Sequence, residues 1–369
     1  MSLALEEVER LRVSPATTMR AFTMTGIGET ALVEKPIPEP GPEEAVVRTT
    51  AALVCTSDVH TVRGAIPIPF GRTLGHESVG VIHSLGAAVT GFTVGERVAV
   101  GAITPCFRCS YCQRGFTSQC QGMLGGYKYT TQIDGNMAEY FVVPAAQANL
   151  TRIPTAVSDD SAVYVTDMLS TGFAGVENAA LRVGESVAVF AQGPVGLAAT
   201  IGCRLVGAGL IIAVESVPKR QEMARRFGAD VIVDFTKGDP VEQILEITGG
   251  RGVDAAIEAF GFPQTFEAAI RCTKPGGRIS NIGYHGENPS PLAIPLEPFG
   301  MGMSDKSIHT ALCPGGSERL GRLLGLIERG RIDPTPMTTH EFAFAEVGQA
   351  FDLMTRKADG IIKPLIRFS

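Results

Sequence analysis

The 369-residue sequence lacks the features that would direct it to a membrane, a secretory route or a nucleic acid. No stretch approaches the roughly 18 uninterrupted apolar residues of a membrane span. The N-terminus, "MSLALEEVERLRV", mixes acidic and basic residues and has no apolar signal region. The net charge is −6 and there is no long basic run, so nothing favours binding to nucleic acid or to an anionic membrane. These absences predict a cytoplasmic protein without membrane or nucleic-acid partners.

Cysteine is present but unevenly spread, with four of the eight cysteines in the stretch "CFRCSYCQRGFTSQC". In a reducing cytosol such a cluster indicates a metal site more often than disulfides. Four thiolates complete a tetrahedral zinc shell and leave no coordination place for a substrate. The sequence therefore predicts a structural zinc ion held by Cys106, Cys109, Cys112 and Cys120. The function must reside elsewhere in the chain.

The order of segments predicts an α/β protein with two domains behind an N-terminal arm. Residues 1–18 form the arm, with a short helix over "LALEEVERLRV". Residues 19–168 contain short Val- and Ile-rich segments between Gly and Pro turns, which indicates a β-rich, barrel-like domain. Residues 169–311 alternate strands with helices, which predicts a doubly wound parallel sheet. Residues 312–369 are expected to rejoin the first domain, so that the parallel-sheet domain is an insertion.

A glycine-containing turn, "AQGPVG", follows the first strand of the predicted parallel sheet and opens a helix. The dinucleotide fingerprint is G-x-G-x-x-G, and Ala191 stands in place of its first glycine. Gly193 would let the backbone approach phosphates, and Gly196 would let the helix pack close to the strand. A strand–turn–helix in this order predicts a pyrophosphate site at Gly193, Pro194, Val195 and Gly196.

Glu215 ends the second strand of that sheet, about twenty residues after the glycine turn, where the fingerprint places an acidic residue. A carboxylate there accepts hydrogen bonds from the adenosine ribose and repels a 2′-phosphate, which predicts NAD over NADP. Lys219 and Arg220, just downstream, keep NADP open as an alternative because both could pair with a phosphate.

Cys55, His76, Glu77 and Asp167 are of the types that give zinc a mixed shell with an open place. They lie in "VCTSDVH", "LGHESVGVIHSLGAAV" and "VTDMLSTG". Spacing alone does not join Cys55 to Asp167. Taken singly, a histidine like His76 is more often a hydrogen-bonded structural residue, and a cysteine like Cys55 an apolar core residue.

Taken together, these motifs resemble the zinc-dependent medium-chain alcohol dehydrogenases. "GHESVGVIHSLGAAV" is similar to their signature, and the four-cysteine segment and "GPVG" follow in the family's order, over a span from about Met19 to the end. "CTSDVHTV", "TDMLSTGFAGVENA" and "LCPGGSERLGRL" most resemble the bacterial secondary-alcohol, isopropanol-type branch. The resemblance implies a GroES-like catalytic domain with an inserted Rossmann domain. It also implies Cys55, His76 and Asp167 as ligands of a catalytic zinc ion, with Glu77 able to join or leave.

The resemblance further implies roles for individual side chains. A proton relay would run from Ser57 through the cofactor ribose to His60, with Thr56 beside the cofactor. Thr171 would contact the nicotinamide and Lys363 the pyrophosphate. The substrate pocket would be walled by apolar and aromatic residues, namely Ala102, Ile103, Tyr127, Tyr284, Leu312 and Cys313. Such a lining suits small hydrophobic alcohols and ketones.

The implied activity is reversible hydride transfer between a small secondary alcohol and NAD, with two zinc ions per subunit of a homotetramer or a dimer. Three alternatives remain: an NADP-dependent enzyme of the same branch, a polyol, threonine or aldehyde dehydrogenase of the same architecture, and a non-catalytic scaffold. The chain departs from its branch in two ways. Members often carry a small residue where Glu215 stands, and several lack the four-cysteine segment.

Overall fold

The structure is a computed structural model that describes residues 17–287 and 290–369. The predicted N-terminal helix lies outside these residues. The first strand begins at Thr18, so the last residue of the predicted arm belongs to the fold itself.

Within the described ranges the chain forms fifteen strands and eleven α-helices. The strands are β1 Thr18–Gly26, β2 Glu29–Pro36, β3 Ala45–Leu53, β4 Ser78–Leu85, β5 Arg97–Val100, β6 Tyr140–Val143, β7 Leu150–Arg152, β8 Ser186–Phe190, β9 Leu210–Val214, β10 Val231–Val233, β11 Val253–Glu258, β12 Thr273–Asn281, β13 Ser307–Thr310, β14 Thr338–Ala343 and β15 Lys363–Arg367. The helices are α1 Thr56–Val62, α2 Ser110–Gln113, α3 Ala146–Asn149, α4 Asp159–Ala162, α5 Met168–Asn178, α6 Pro194–Leu205, α7 Pro218–Phe227, α8 Pro240–Ile247, α9 Pro263–Arg271, α10 Ser317–Glu328 and α11 Val347–Arg356.

The β-rich half is built on a seven-stranded sheet of order β14-β15-β3-β4-β5-β7, with β6 pairing β3 off this path. Its neighbours are antiparallel except for β14 and β15, which run parallel. The C-terminal strand β15 pairs with β3 from Leu365–Leu53 to Arg367–Ala51, so the end of the chain completes a sheet begun near its start. This pairing places the C-terminal strand beside β3, which ends two residues before Cys55.

The other half is a six-stranded parallel sheet of order β10-β9-β8-β11-β12-β13. Its strands are apolar on both faces: Val187 and Val189 face one core cluster, and Ala188 and Phe190 face another. Helices cover both faces, as parallel sheets require. The strand order reverses between β8 and β11, and ligands of such sheets bind beyond the carboxyl ends of the strands at that point. The predicted fold class, GroES-like plus Rossmann, is confirmed.

Helix α5 joins the two halves. It starts directly after Asp167, is buried from Met168 to Val176, and packs against α6 of the parallel-sheet domain. At Gly172 a Cβ atom would lie 2.5 Å from the Cβ of Ala198, so only glycine permits this close approach. The tight packing fixes Asp167 at the point where the two domains meet.

Candidate active site and structural metal site

Four potential metal ligands come together beside the N-terminus of α1. One ligand atom from each of Cys55, His76, Glu77 and Asp167 lies within 4.8 Å of the others. The Nε2 atom of His76 is 3.4 Å from Oδ2 of Asp167 and 3.8 Å from Oε1 of Glu77. The structure therefore supplies the long-range link between Cys55 and Asp167 that spacing could not.

The donor set of this cluster fits a bound cation. Burial alone lowers the pKa of His76, but Tyr127, Asp58 and Asp167 outweigh it and raise the pKa well above its usual value. Burial raises the pKa of Glu77 to about 7 even though a lysine faces it. The Oε2 atom of Glu77 is buried without a hydrogen-bond partner among the described residues. This unused oxygen lies among the other three donor atoms, and thiolate, imidazole and carboxylate together suit zinc.

Asp58, which the sequence reasoning missed, holds two of the ligands in place. Its Oδ1 atom lies 3.2 Å from Nδ1 of His76 and accepts a hydrogen bond from the Gly75 N–H. Its Oδ2 atom accepts a hydrogen bond from the Cys55 N–H at 2.9 Å. A carboxylate on the far nitrogen orients the imidazole of a metal ligand. The signal was available: Asp58 stands at the third position of α1, where an acidic side chain reaches back to the residue before the helix.

The four-cysteine segment forms a second cluster, in which the sulfur atoms of Cys106, Cys109, Cys112 and Cys120 lie within 4.8 Å of one another. None of the eight cysteines, all within the described residues, forms a disulfide. Backbone N–H groups of Cys112 and Gln121 lower the pKa of Cys109 to about 6. Burial raises the pKa of Cys112 and Cys120, so the fit to a structural zinc ion rests on the shell of four sulfurs.

The glycine turn beyond β8 has room for a phosphate. Gly193 precedes the first residue of α6, and a Cβ atom there would meet nothing within 4 Å. A Cβ atom on Gly196 would lie 1.9 Å from the carbonyl oxygen of Ala191, so this position requires glycine. Ala191 itself adopts a φ of 68°, the conformation that the first glycine of the fingerprint provides. The turn therefore keeps the fingerprint's geometry despite the substitution.

Glu215 lies beneath this turn, nearly buried at 4% exposure. Its Oε2 atom accepts a hydrogen bond from the Gln192 N–H at 3.0 Å, and its Oε1 atom accepts from the N–H groups of Ser216 and Val217. The guanidinium of Arg220 lies 3.8 Å from the same carboxylate. The predicted ribose acceptor is thus held rigidly at the strand end.

The predicted relay residues lie on α1, directly after the ligand Cys55. Ser57 Oγ is 3.3 Å from Nε2 of His76, and His60 follows one turn later. Thr56, the first residue of the helix, is partly buried. His60 Nδ1 is in ion-pair contact with Glu287, a residue of the parallel-sheet domain. No local sequence pattern predicts this contact.

Most predicted pocket residues form one apolar cluster beside Asp167. Ile103 and Cys313 pack with the partly buried Tyr127 and Leu312. Tyr127 Oη lies 3.2 Å from Nδ1 of His76, and Cys313 Sγ lies 3.9 Å from Oδ1 of Asp167. The wall of this cluster is therefore continuous with the metal site.

Two further predicted residues, Ala102 and Thr171, lie beside this wall, whereas Tyr284 does not. Ala102 is buried, and its N–H donates to the carbonyl of Thr166. Thr171 donates a hydrogen bond from Oγ1 to Oδ1 of Asp167. Tyr284 lies elsewhere: it is 39% exposed, and its ring centroid is 5.6 Å from that of His60.

Comparison with known proteins identifies the family. Residues 41–155 match the family described as alcohol dehydrogenase GroES-like domain, and residues 194–329 match zinc-binding dehydrogenase. An alcohol dehydrogenase of Cupriavidus necator is 45% identical over 363 residues, covering 95% of this chain and 98% of that protein. The chain belongs to the zinc-dependent medium-chain alcohol dehydrogenases. It is a zinc-dependent alcohol oxidoreductase close to the isopropanol-type branch.

Further relatives agree with this assignment. An NADP-dependent isopropanol dehydrogenase of Thermoanaerobacter brockii is 43% identical over 350 residues, covering 94% of this chain and 99% of that protein. The solved structure of alcohol dehydrogenase TADH from Thermus sp. ATN1 superposes with a TM-score of 0.86 at 30% identity, covering 95% of this chain and all of that one. Among the residues that the structure describes, every helix of this dehydrogenase is too short or too polar to cross a membrane.

Lys363 is placed differently from the pyrophosphate contact that the resemblance implies. Its ammonium is fully buried and donates to Oε1 of Glu77 at 2.6 Å. The reason is the β15–β3 pairing, which brings the first residue of β15 to the metal cluster. In this structure Lys363 therefore neutralises Glu77 instead of facing an open cleft.

Proposed function

We propose that this dehydrogenase reversibly transfers a hydride between a small secondary alcohol and NAD. One observation carries the proposal: Asp167 lies in the metal cluster and also contacts Cys313 and Thr171, the predicted pocket and nicotinamide residues. A metal ligand that borders both a substrate wall and a cofactor contact brings the two reactants to one place.

The chemistry divides between the bound groups and the chain. Cys55, His76 and Asp167 would hold a zinc ion that would supply the Lewis acidity to lower the pKa of an alcohol hydroxyl, and a bound nicotinamide would supply the hydride acceptor. The protein excludes water with the apolar cluster around Ile103 and Cys313. Ser57 Oγ accepts the hydroxyl proton as its own proton moves on along the relay, and His60 takes up that proton and releases it to solvent.

Small secondary alcohols fit the proposed pocket better than polyols or threonine. The residues that line it near Asp167 are Ile103, Leu312 and Cys313, whose side chains offer little to bind several hydroxyls or a charged amino acid. A thiol of raised pKa, such as Cys313, stays neutral and acts as an apolar wall.

The choice of NAD rests on Glu215. A bound 2′-phosphate would have to lie beside a carboxylate already held by three backbone N–H groups, and like charges placed together cost several kcal/mol. Arg220 faces this carboxylate and Lys219 reaches the carbonyl of Asp359, so both nearby cations already have acceptors. NADP remains the second candidate because the relative from Thermoanaerobacter brockii is named for it.

The test compares the two cofactors in the oxidation of 2-propanol. We expect kcat/KM to be at least about tenfold higher with NAD, since each 1.4 kcal/mol of discrimination is a factor of ten. Replacing Glu215→Gly is expected to lower that ratio about 10–100-fold, whereas Glu222→Gln, on the exposed side of α7, leaves it unchanged. A wild-type preference for NADP would refute the cofactor proposal, and a lack of turnover with either cofactor would refute the substrate proposal.

The proposal extends to assembly and location. We infer a homotetramer, with a dimer as the alternative, in the cytoplasm, where reducing conditions keep the zinc-binding thiols of Cys106 and Cys109 available. Sedimentation equilibrium of the zinc-loaded chain distinguishes four subunits from two.

A further inference from the structure

A short segment of the parallel-sheet domain lies across the relay helix of the other domain. Tyr284 Oη donates to the carbonyl of Ala65, just beyond α1, at 3.0 Å. Glu287 Oε1 contacts Nδ1 of His60 and lies 3.5 Å from Nη1 of Arg63. The segment, residues 284–287, ends in the 3₁₀ turn His285–Glu287. We call it the strap.

The strap is anchored to the sheet and not only to its own turn. His285 Nε2 lies 2.8 Å from Oδ1 of Asn281, the last residue of β12. Nε2 of the same histidine lies 3.6 Å from the buried carboxylate of Glu258 at the end of β11. These contacts fix the turn relative to the carboxyl edge of the sheet. The sheet therefore determines the position of Glu287 beside His60.

Among the residues that the structure describes, Glu287 supplies the favourable charge beside His60. Burial lowers the pKa of His60, and Lys357 and Arg63 lower it further. Among the charged groups that the structure places around His60, Glu287 is the acidic one and opposes all three effects. The Glu287 side chain is 25% exposed and the His60 side chain 15%, so the pair also reaches water. Without the carboxylate, a protonated His60 would sit half-buried beside two cations.

We propose that Glu287 is the outer partner of the proton relay, a positioning residue that holds His60 and stabilises its imidazolium form while the proton leaves. His60 accepts one proton from the relay, becomes an imidazolium beside the ionised carboxylate, and returns to neutral when that proton passes to water. Glu287 stays ionised throughout. This inference rests on the proposed dehydrogenase function, since it assigns a role in the same reaction.

The first test needs no turnover. The pKa of His60 is measured by NMR titration of the full chain without cofactor, with His60→Asn used to assign the signal. We expect Glu287→Gln to lower the pKa of His60 by about one unit, because an adjacent opposite charge shifts a pKa by that much or more. The matched control is Glu297→Gln, an exposed glutamate ten positions along the same connection, which should leave it unchanged. A His60 pKa that does not move in Glu287→Gln would overturn the proposal.

The second test separates the relay from simple domain contact. In Glu287→Gln we expect kcat for 2-propanol oxidation to fall by up to about tenfold above pH 7, where His60 is neutral in both proteins but is the weaker base in the variant, and the loss to shrink as the pH falls. The KM for NAD should stay unchanged, and added imidazole should restore most of the rate as an external base. Arg63→Gln removes the other contact of Glu287 but should raise the pKa of His60, since Arg63 lowers it. Equal loss at every pH without imidazole rescue would show a structural role only. An unmodified chain without turnover would refute the proposed function. The NMR titration would still show whether Glu287 raises the pKa of His60.

Discussion

At the scale of single residues, the site depends on side chains that never touch the metal. The Asp58 carboxylate is hydrogen-bonded to the His76 ring and accepts a hydrogen bond from the Cys55 N–H, so it orients two ligands at once. The exchange Asp58→Asn keeps the shape but removes the charge that holds the ring. We expect zinc affinity at this site to fall about 10–100-fold while the four-cysteine site keeps its ion. Zinc release to a chelator, followed by elemental analysis, measures both.

The control for that prediction is Asp352→Asn, an exposed aspartate on α11. It removes the same charge without touching the site, and its zinc release should match that of the unmodified chain. Equal release from Asp58→Asn and from the control would contradict the positioning role of Asp58.

Residue-scale prediction from sequence reached the side chains that stand in local patterns and ended where no such pattern exists. Cys55, His76 and the four cysteines stand in short motifs, and the structure clusters them as expected. Lys363 differs because its partner, Glu77, depends on a strand pairing across most of the chain. Glu287 was missed for the same physical reason: its contact with His60 arises from the meeting of two domains, and no spacing along the chain encodes it.

At the scale of elements, the parallel sheet is pinned at the start of two adjacent strands. Asp254 of β11 accepts hydrogen bonds from the N–H and hydroxyl of Ser186 in β8, and it pairs with Lys274. Burial raises the pKa of Asp254, but Lys274 and Ser186 outweigh it and hold the pKa at about 2. The side chain is 18% exposed, so solvent screens these contacts only in part.

We therefore expect Asp254→Asn to lower the free energy of unfolding by about 1–2 kcal/mol at pH 7. Because the folded pKa lies below the unfolded value of about 4, this stabilisation is complete above pH 5 and is lost as the pH falls towards 2. The stability difference between Asp254→Asn and the unmodified chain should shrink over that window, as followed by denaturant unfolding at pH 7 and pH 3. A difference that is constant with pH would contradict the ionised pair.

The elements themselves were predictable to the extent that burial is periodic. "SVAVF" and "LIIAV" are apolar throughout because β8 and β9 are covered on both faces, and their alternation with helices identifies the parallel sheet. Strand order is harder to predict than the elements themselves. The return of residues 312–369 to the first domain was expected, but neither the order β10-β9-β8-β11-β12-β13 nor the register of β15 on β3 is encoded by a local pattern.

At the scale of the whole molecule, one chain carries two clusters of potential metal ligands that differ in character. The four-cysteine site stabilises a loop, and the site at Cys55, His76 and Asp167 lies where the two domains meet. Only the second borders the pocket cluster and the relay helix. The domain junction is therefore where substrate, cofactor and proton exit have to converge.

The most direct test is elemental analysis of the purified chain beside its His76→Asn variant, with 2-propanol oxidation measured on the same samples and melting temperatures used to confirm folding. The account predicts two zinc ions per unmodified chain, and one zinc ion without measurable turnover in His76→Asn. A folded His76→Asn chain that carries a single zinc ion and still oxidises 2-propanol at the unmodified rate would contradict it.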